Sequence, residues 1–128
     1  MSEKLADIVL KNQRKKAGEL IKAVLAKKLP VKNALLAYPK DTHDESVIAS
    51  WHALCHLEAD ELLRKEPDYA VEQDMYLDDM ANTLLSGEEI PEYIREPYKQ
   101  YYKAPLTPHK KGLEGFIESF RTFLSVEK

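Results

Sequence analysis

The sequence predicts an all-α fold: a compact bundle of four main helices, with short helical pieces bounded by prolines. Apolar residues recur at three- and four-residue spacing in four long stretches, which is the period of an amphipathic helix. No stretch alternates apolar and polar residues as a half-buried strand does. A chain of 128 residues, 44% of them apolar, is expected to form one helical domain over residues 1–128, with residues 1–10 either packed on it or forming an arm.

The first helix is predicted over residues 2–29, and Pro30 ends it. Its second half carries an apolar face made of Ala17, Leu20, Ile21, Val24 and Leu25. In its first half, Leu5, Ile8 and Val9 point to a different side. The helix therefore either bends within the polar run that separates the two halves or begins with a separate arm.

The second main helix is predicted over residues 43–64. Thr42 and Glu45 fit a capping box, in which the threonine hydroxyl accepts from an amide of the first turn and the glutamate reaches back. Its apolar stripe consists of Val47, Ile48, Trp51, Leu54, Cys55 and Leu62. The stripe predicts that this helix packs on the bundle through one face.

Two further helices complete the predicted bundle. Pro67 suits the first turn of the third helix, which runs to about residue 85, and Gly87 suits the position just past its end. Its inner face consists of Tyr69, Leu77, Met80, Ala81 and Leu84. Thr107 and Pro108 suit the start of the last helix. The apolar face of that helix consists of Leu113, Phe116, Ile117, Phe120, Phe123 and Leu124.

The net charge of −3 conceals an uneven distribution along the chain. Residues 1–40 hold ten Lys and Arg against three acids, whereas residues 41–96 hold three against sixteen. The simplest interpretation is charge complementarity, either within the bundle or between two protomers. Nucleic-acid binding by the first helix is the alternative. Its basic residues would be Lys11, Arg14, Lys15, Lys16, Lys22, Lys27, Lys28 and Lys32.

Several classes of protein are disfavoured by the composition. The single cysteine, Cys55, cannot form an internal disulfide, which suits a reducing compartment. The N-terminus lacks the pattern of a signal peptide, and no apolar run approaches the roughly 18 residues of a membrane span. The four glycines are too scattered for a phosphate-binding loop. We therefore expect a cytoplasmic protein without a membrane partner.

Carboxylates on the second and third helices form one candidate metal site. The helical period places Glu58 in the apolar stripe near Trp51, where a carboxylate must be paired, metal-bound or protonated. If the two helices pack antiparallel, four carboxylates can converge as ligands for Mg²⁺ or Mn²⁺. They are Glu58, Glu61, Asp74 and Asp78. The alternative is that Glu58 bonds a buried Arg, Lys or Tyr and the other acids form a solvated face.

The run Glu58-Ala59-Asp60-Glu61 resembles a fragment of the all-α nucleotide pyrophosphohydrolases, the MazG-like and dimeric dUTPase-like families. These families carry an E-x-x-E element on one helix and an E-x-x-D element on a later one. The second element is absent as written, because Met75 follows Glu72 at the third position. The resemblance covers about twenty residues, and it implies a metal-dependent hydrolase.

His52 and His56 form a second candidate metal site. Their spacing of one helical turn allows two imidazoles to share a transition metal. The H-E-x-x-H pattern is missing, because Ala53 follows His52. The favoured interpretation is a partly exposed pair that hydrogen-bonds Glu45 and Asp60.

The aromatic residues of the C-terminal third indicate contact with another protein or with a second copy. The tyrosine-rich segment packs on the bundle as a lid or lies in an interface. The candidate interface residues are Tyr98, Tyr101, Tyr102, Phe116, Phe120 and Phe123. Because no complete catalytic constellation is present, the sequence predicts action by protein–protein contact, with self-association as a homodimer. Metal-dependent hydrolysis and nucleic-acid binding are the alternatives.

Overall fold

A computed structural model describes residues 3–39 and 42–101, and in these residues the secondary structure is helical without a strand. The predicted all-α class is confirmed. The elements are α1 (Glu3–Leu25), α2 (Val31–Ala37), α3 (Glu45–Ala59), α4 (Pro67–Leu85) and α5 (Glu92–Arg95). Short 3₁₀ segments follow α3 at Leu63–Lys65 and α5 at Glu96–Tyr101. The predicted last helix lies outside the described residues.

Helices α1 and α4 pack antiparallel in close contact. Lys22 near the end of α1 bonds Asp78 in the middle of α4, and Lys11 lies against Gly87 just past the end of α4. Gly18 lies at the closest approach, where an added Cβ would come within 2.9 Å of the Ala81 carbonyl oxygen. A larger residue there would force the two helices apart.

Both helices end in the same hydrogen-bonded motif with a left-handed residue. In α4 that residue is Gly87, at φ +76°, as the sequence predicts. In α1 it is Lys27, at φ +60°, and the amide of Lys28 donates to the Ala23 carbonyl. The first helix therefore ends at Leu25 rather than at residue 29. A lysine in this conformation gives no sequence signal, because glycine is the residue expected there.

The predicted capping box at the start of α3 is wrong. Asp44 caps this helix, and its carboxylate accepts from the Val47 amide at 3.2 Å. Thr42 accepts from the Asp44 amide and donates to Gln13 on α1. Arg14 then fixes the cap from outside, since its guanidinium donates to both carboxylate oxygens of Asp44 at 3.0 Å.

Helix α3 lies at the centre of the bundle and is enclosed on all sides. Every residue from Ser46 to His56 is buried, including the predicted apolar residues of this stretch. Leu62 was expected on the same stripe but is 76% exposed. The helix ends at Ala59, so the continuous period that placed Leu62 on the stripe stops before it.

The first turns of α1 extend beyond the end of α4, because Lys11 already lies level with Gly87. The helix is continuous from Glu3, so residues 3–10 do not form a separate arm. Leu5, Ile8 and Val9 are 42%, 46% and 49% exposed. They lie on the side of α1 opposite the buried residues, as their spacing indicates.

Candidate functional site

A buried polar cluster lies between α3, α4 and the Glu96–Tyr101 segment. It contains His52 and His56 of α3 and Asp60, the residue that caps the end of this helix. The three follow one another at four-residue spacing and therefore share a face. Each of the three is at most 2% exposed. The other members are Tyr69, Gln73, Tyr76 and Tyr98.

Asp60 is the charged centre of this cluster. Its Oδ2 accepts the Tyr69 hydroxyl at 2.6 Å and the Gln73 amide at 3.2 Å. Gln73 in turn accepts from Arg64 at 2.8 Å. These bonds connect the first two turns of α4 to the end of α3, because a buried carboxylate needs hydrogen-bond donors to offset its lost hydration.

Aromatic packing completes the other half of the cluster. The Tyr98 ring stacks on His52 with a centroid distance of 6.5 Å, and it lies 6.2 Å from the ring of His56. The Tyr98 hydroxyl lies 3.4 Å from that of Tyr76. This arrangement agrees with the expected lid, since the tyrosine covers the histidine face of α3.

Burial shifts the pKa of two groups in this cluster in the direction that favours their neutral forms. Burial, together with the charge of His52, lowers the pKa of His56 to about 3. Burial, with Tyr76 next to it, raises the pKa of the Tyr98 phenol. Cys55, on the same helix, has a thiol pKa that burial and the charge of Glu58 raise. Groups held in these forms are suited to fixing the helices together rather than to exchanging protons near pH 7.

The histidine pair differs from its expected environment. His52 and His56 were expected to be partly exposed, and both are 1% exposed. The pattern failed because Tyr98 covers the flank that a lone amphipathic helix would expose. Glu45 is one of the two predicted partners of the histidines, and its carboxylate lies 2.6 Å from the Arg95 guanidinium.

Glu58 is exposed, which corrects its expected place in the core. Its side chain is 39% exposed, and its carboxylate lies 4.0 Å from the Lys32 ammonium. The stripe that carries Glu58 faces α2, which begins only at Val31 and leaves the end of α3 uncovered. Asp60 takes the role expected of Glu58, since it is the buried carboxylate bonded to a tyrosine.

An open cleft of about 510 Å³ lies where α2 meets the end of α3. Its charged lining consists of Lys32, Glu58, Glu61 and Arg64. Asp74 lies next to it, paired with Arg64 at 2.9 Å. Asp78 is instead bonded to Lys22 at 2.6 Å. The structure thus brings Glu58 and Glu61 to one cleft and places the other two predicted ligands in separate ion pairs.

No group of three His, Cys, Asp or Glu side chains is arranged to hold a metal ion within residues 3–39 and 42–101. The four predicted carboxylates therefore do not form such a group among the described residues. The described residues give the cleft two carboxylates one turn apart, Glu58 and Glu61, and two cations, Lys32 and Arg64.

Tyr98 was also a candidate interface residue, and this expectation is corrected. It is 3% exposed and buried within its own chain, so it presents no surface to a partner. The side chain of Tyr101 lies outside the described residues, as do Tyr102, Phe116, Phe120 and Phe123.

The side of α1 that faces away from the bundle is the surface that the sequence did not single out. We call it the α1 outer face and define it by Leu5, Ile8, Val9, Lys15 and Lys16, all exposed. Three large apolar side chains lie together there, followed two turns later by two lysines. The signal was present in the spacing of Leu5, Ile8 and Val9, which pointed away from the apolar face of the second half.

Comparison with protein-family models, with curated proteins and with solved structures gives no match for this chain. None of the helices described above is long and apolar enough to cross a membrane.

Proposed function

We propose that the protein acts by protein–protein contact and associates with a second copy of itself through the α1 outer face. The observation that carries this proposal is the exposure of Leu5, Ile8 and Val9 at one site. Adjacent exposed apolar side chains are typical of contact surfaces, because burying them against a partner removes them from water.

The chemistry of this face favours a protein partner over nucleic acid. A phosphate backbone is neutralised by lysines and gains nothing from Leu5, Ile8 and Val9. The lysines of the face, Lys15 and Lys16, lie on the turns that follow the apolar residues. This order is typical of an apolar contact with a charged rim.

The experiment that tests the proposal is light scattering on the full chain over a concentration series. We expect the molar mass to rise above 14.7 kDa with concentration. Ile8→Glu is expected to keep the protein monomeric, because a carboxylate in the contact would lose its hydration. Leu36→Glu is the matched control, since Leu36 is 62% exposed on α2, and it should associate as the unaltered protein does. A strict monomer at every concentration would refute the proposal.

A second candidate function is metal-dependent hydrolysis at the cleft, favoured by the position of Glu58 and Glu61 on the same wall. Two carboxylates one turn apart can bind Mg²⁺ or Mn²⁺, and Asp74 would join them by leaving Arg64. If so, either metal raises the melting temperature and Glu58→Gln abolishes the rise, while Glu66→Gln does not. Melting curves that neither metal changes would exclude this candidate.

A further inference from the structure

The exposed side of α4 is a second surface with apolar residues at its centre. Val71 and Met75 are 57% and 62% exposed and lie one turn apart. Asp68, Glu72 and Asp79 are exposed on the same side of the helix. We call these five residues the α4 outer face.

The three carboxylates of the α4 outer face have no ion pair among the described residues. Within one helix they lie close enough to repel one another, with Asp68 and Glu72 four residues apart. Other carboxylates of α4 are paired, since Asp74 bonds Arg64 and Asp78 bonds Lys22. The outer face is therefore the side of α4 whose negative charge is not compensated within the described chain.

The α1 outer face is complementary to the α4 outer face both in its apolar residues and in the sign of its charge. Leu5, Ile8 and Val9 offer an apolar patch about one turn long, as Val71 and Met75 do. Lys15 and Lys16 are exposed and, within residues 3–39 and 42–101, have no ion pair.

The spacing along the two helices is compatible. Val9 and Lys15 are separated by about 9 Å along the helix axis, and Met75 and Asp79 by about 6 Å. The length of a lysine side chain spans the difference. An apolar contact with a charged pair at its edge therefore fits both faces at once.

The two faces cannot meet within one molecule. In each copy α1 and α4 run antiparallel, with Lys11 level with Gly87 and Lys22 level with Asp78, so the apolar patches of the two outer faces lie at opposite ends of the helix pair. A complementary pair of surfaces on one chain that cannot close on itself is satisfied by a second copy.

We propose that the α4 outer face of one copy is the docking surface for the α1 outer face of a second copy. This inference rests on the proposed function and names the partner surface of the same contact. The pairing is reciprocal in a closed two-fold dimer, and it is head-to-tail in an open assembly.

Cross-linking of two single-cysteine additions tests the pairing on the full chain. An Ile8→Cys protein mixed with a Met75→Cys protein is expected to give a disulfide-linked pair under mild oxidation, with one copy of each. An Ile8→Cys protein mixed with a Leu62→Cys protein is the control and should give no such pair, since Leu62 is exposed elsewhere. Cys55 is 0% exposed and is not expected to react.

A charge reversal tests the acidic rim. Glu72→Lys combined with Asp79→Lys is expected to weaken self-association about tenfold, a change that corresponds to about 1.4 kcal/mol. Glu61→Lys combined with Glu66→Lys alters two exposed carboxylates outside the face and should leave the dissociation constant unchanged. Adding Lys15→Glu and Lys16→Glu to the first double variant is expected to restore association.

The outcomes separate the two proposals. If the unaltered chain is monomeric at every concentration, the proposed function fails and this inference fails with it. If the chain associates but neither the cross-link nor the effect of the charge reversal is found, this inference alone is wrong. A monomer that Met75→Glu destabilises by several degrees would show that the α4 outer face is covered by the chain's own residues, and would overturn the inference as well.

Discussion

Helices α1 and α3 expose their residues in opposite ways, although both are amphipathic by sequence. In α3 the residues from Ser46 to His56 are all buried, whatever their polarity. In α1 the buried residues keep the helical period, and the opposite side is exposed from Leu5 to Glu19. The period of a sequence therefore identifies the exposed face of a peripheral helix, whereas for a central helix the position along its length decides exposure.

The same difference separates structural polar groups from groups available for contact. The histidines of α3 are buried against the Tyr98 ring, and Asp60 accepts the Tyr69 hydroxyl, so these groups hold the bundle together. The apolar residues at the start of α1 are exposed, as the proposed contact requires. We therefore expect the functional contact at the start of α1, where apolar side chains lie at the surface.

The largest expected effect separates Asp60 from Glu58, which lie two residues apart. Asp60→Ala should lower the free energy of unfolding by about 3 kcal/mol, because it removes the acceptor of Tyr69 and Gln73 in a buried site. Glu58→Ala should cost no more than about 0.5 kcal/mol, since its side chain is exposed. Urea denaturation followed by circular dichroism measures both. Equal losses would contradict the assignment of Asp60 as the buried carboxylate.

The next effect compares two ion pairs made by α1. Arg14→Ala should lower the free energy of unfolding by about 2 kcal/mol, because it removes the bonds that the guanidinium donates to Asp44 and to the Gly87 carbonyl. Lys22→Ala removes a half-exposed pair with Asp78, and the expected loss is below about 1 kcal/mol. Thermal denaturation of the two variants measures both losses of stability. A larger loss for Lys22→Ala than for Arg14→Ala would contradict this ranking.

A pH dependence distinguishes the buried histidine from an exposed one. The folded state holds His56 neutral down to a pKa of about 3, whereas the unfolded chain protonates it near its ordinary value of 6.5. Protons therefore favour the unfolded state between these values. The contribution of neutral His56 to the free energy of unfolding is fully present above pH 6.5. It is lost as the pH falls toward 3, by about 1 kcal/mol per pH unit.

His56→Gln should reduce this loss of stability between pH 6.5 and 3, measured by urea denaturation at several pH values. His43→Gln is the control, because His43 is exposed at the start of the α3 region. If the free energy of unfolding of His56→Gln falls with pH as steeply as that of the unaltered protein, protonation of His56 does not oppose folding.

The smallest effect is a stabilisation at the end of α1. Lys27 has a φ of +60°, a conformation that costs a side chain with a Cβ atom but not a glycine. Lys27→Gly should therefore raise the free energy of unfolding by about 0.5–1 kcal/mol. Ala26→Gly is the matched control and should destabilise, since Ala26 lies beside it without the left-handed φ. A loss of stability in Lys27→Gly would contradict the hydrogen-bonded motif.

The parts of the fold that the sequence predicts are those that depend on local chemistry. Pro67 and Gly87 mark the ends of α4 because one fixes φ and the other accepts a positive φ. The core residues from Ala17 to Val24 follow from spacing alone, since α1 lies at the periphery. These features need no knowledge of what packs against the helix.

The site was harder to predict because it depends on the neighbours of α3. Whether Glu58 or Asp60 is buried follows from where α2 begins and where Tyr98 lies, and neither can be read from the α3 sequence. The α1 outer face shows the reverse case. The spacing of its residues indicates that they point to another side of the helix, but only the end of α4 at Leu85 shows that nothing in the described chain covers them.

Hydrogen–deuterium exchange of the full chain, compared between dilute and concentrated solutions, tests the central claim most directly. Self-association through the two outer faces should slow amide exchange in residues 3–12 of α1 and 68–79 of α4 as the concentration rises. Exchange in residues 46–56 of α3 should stay the same, because that helix is enclosed in each copy. Identical exchange at both concentrations, or new protection confined to other segments, would contradict the account.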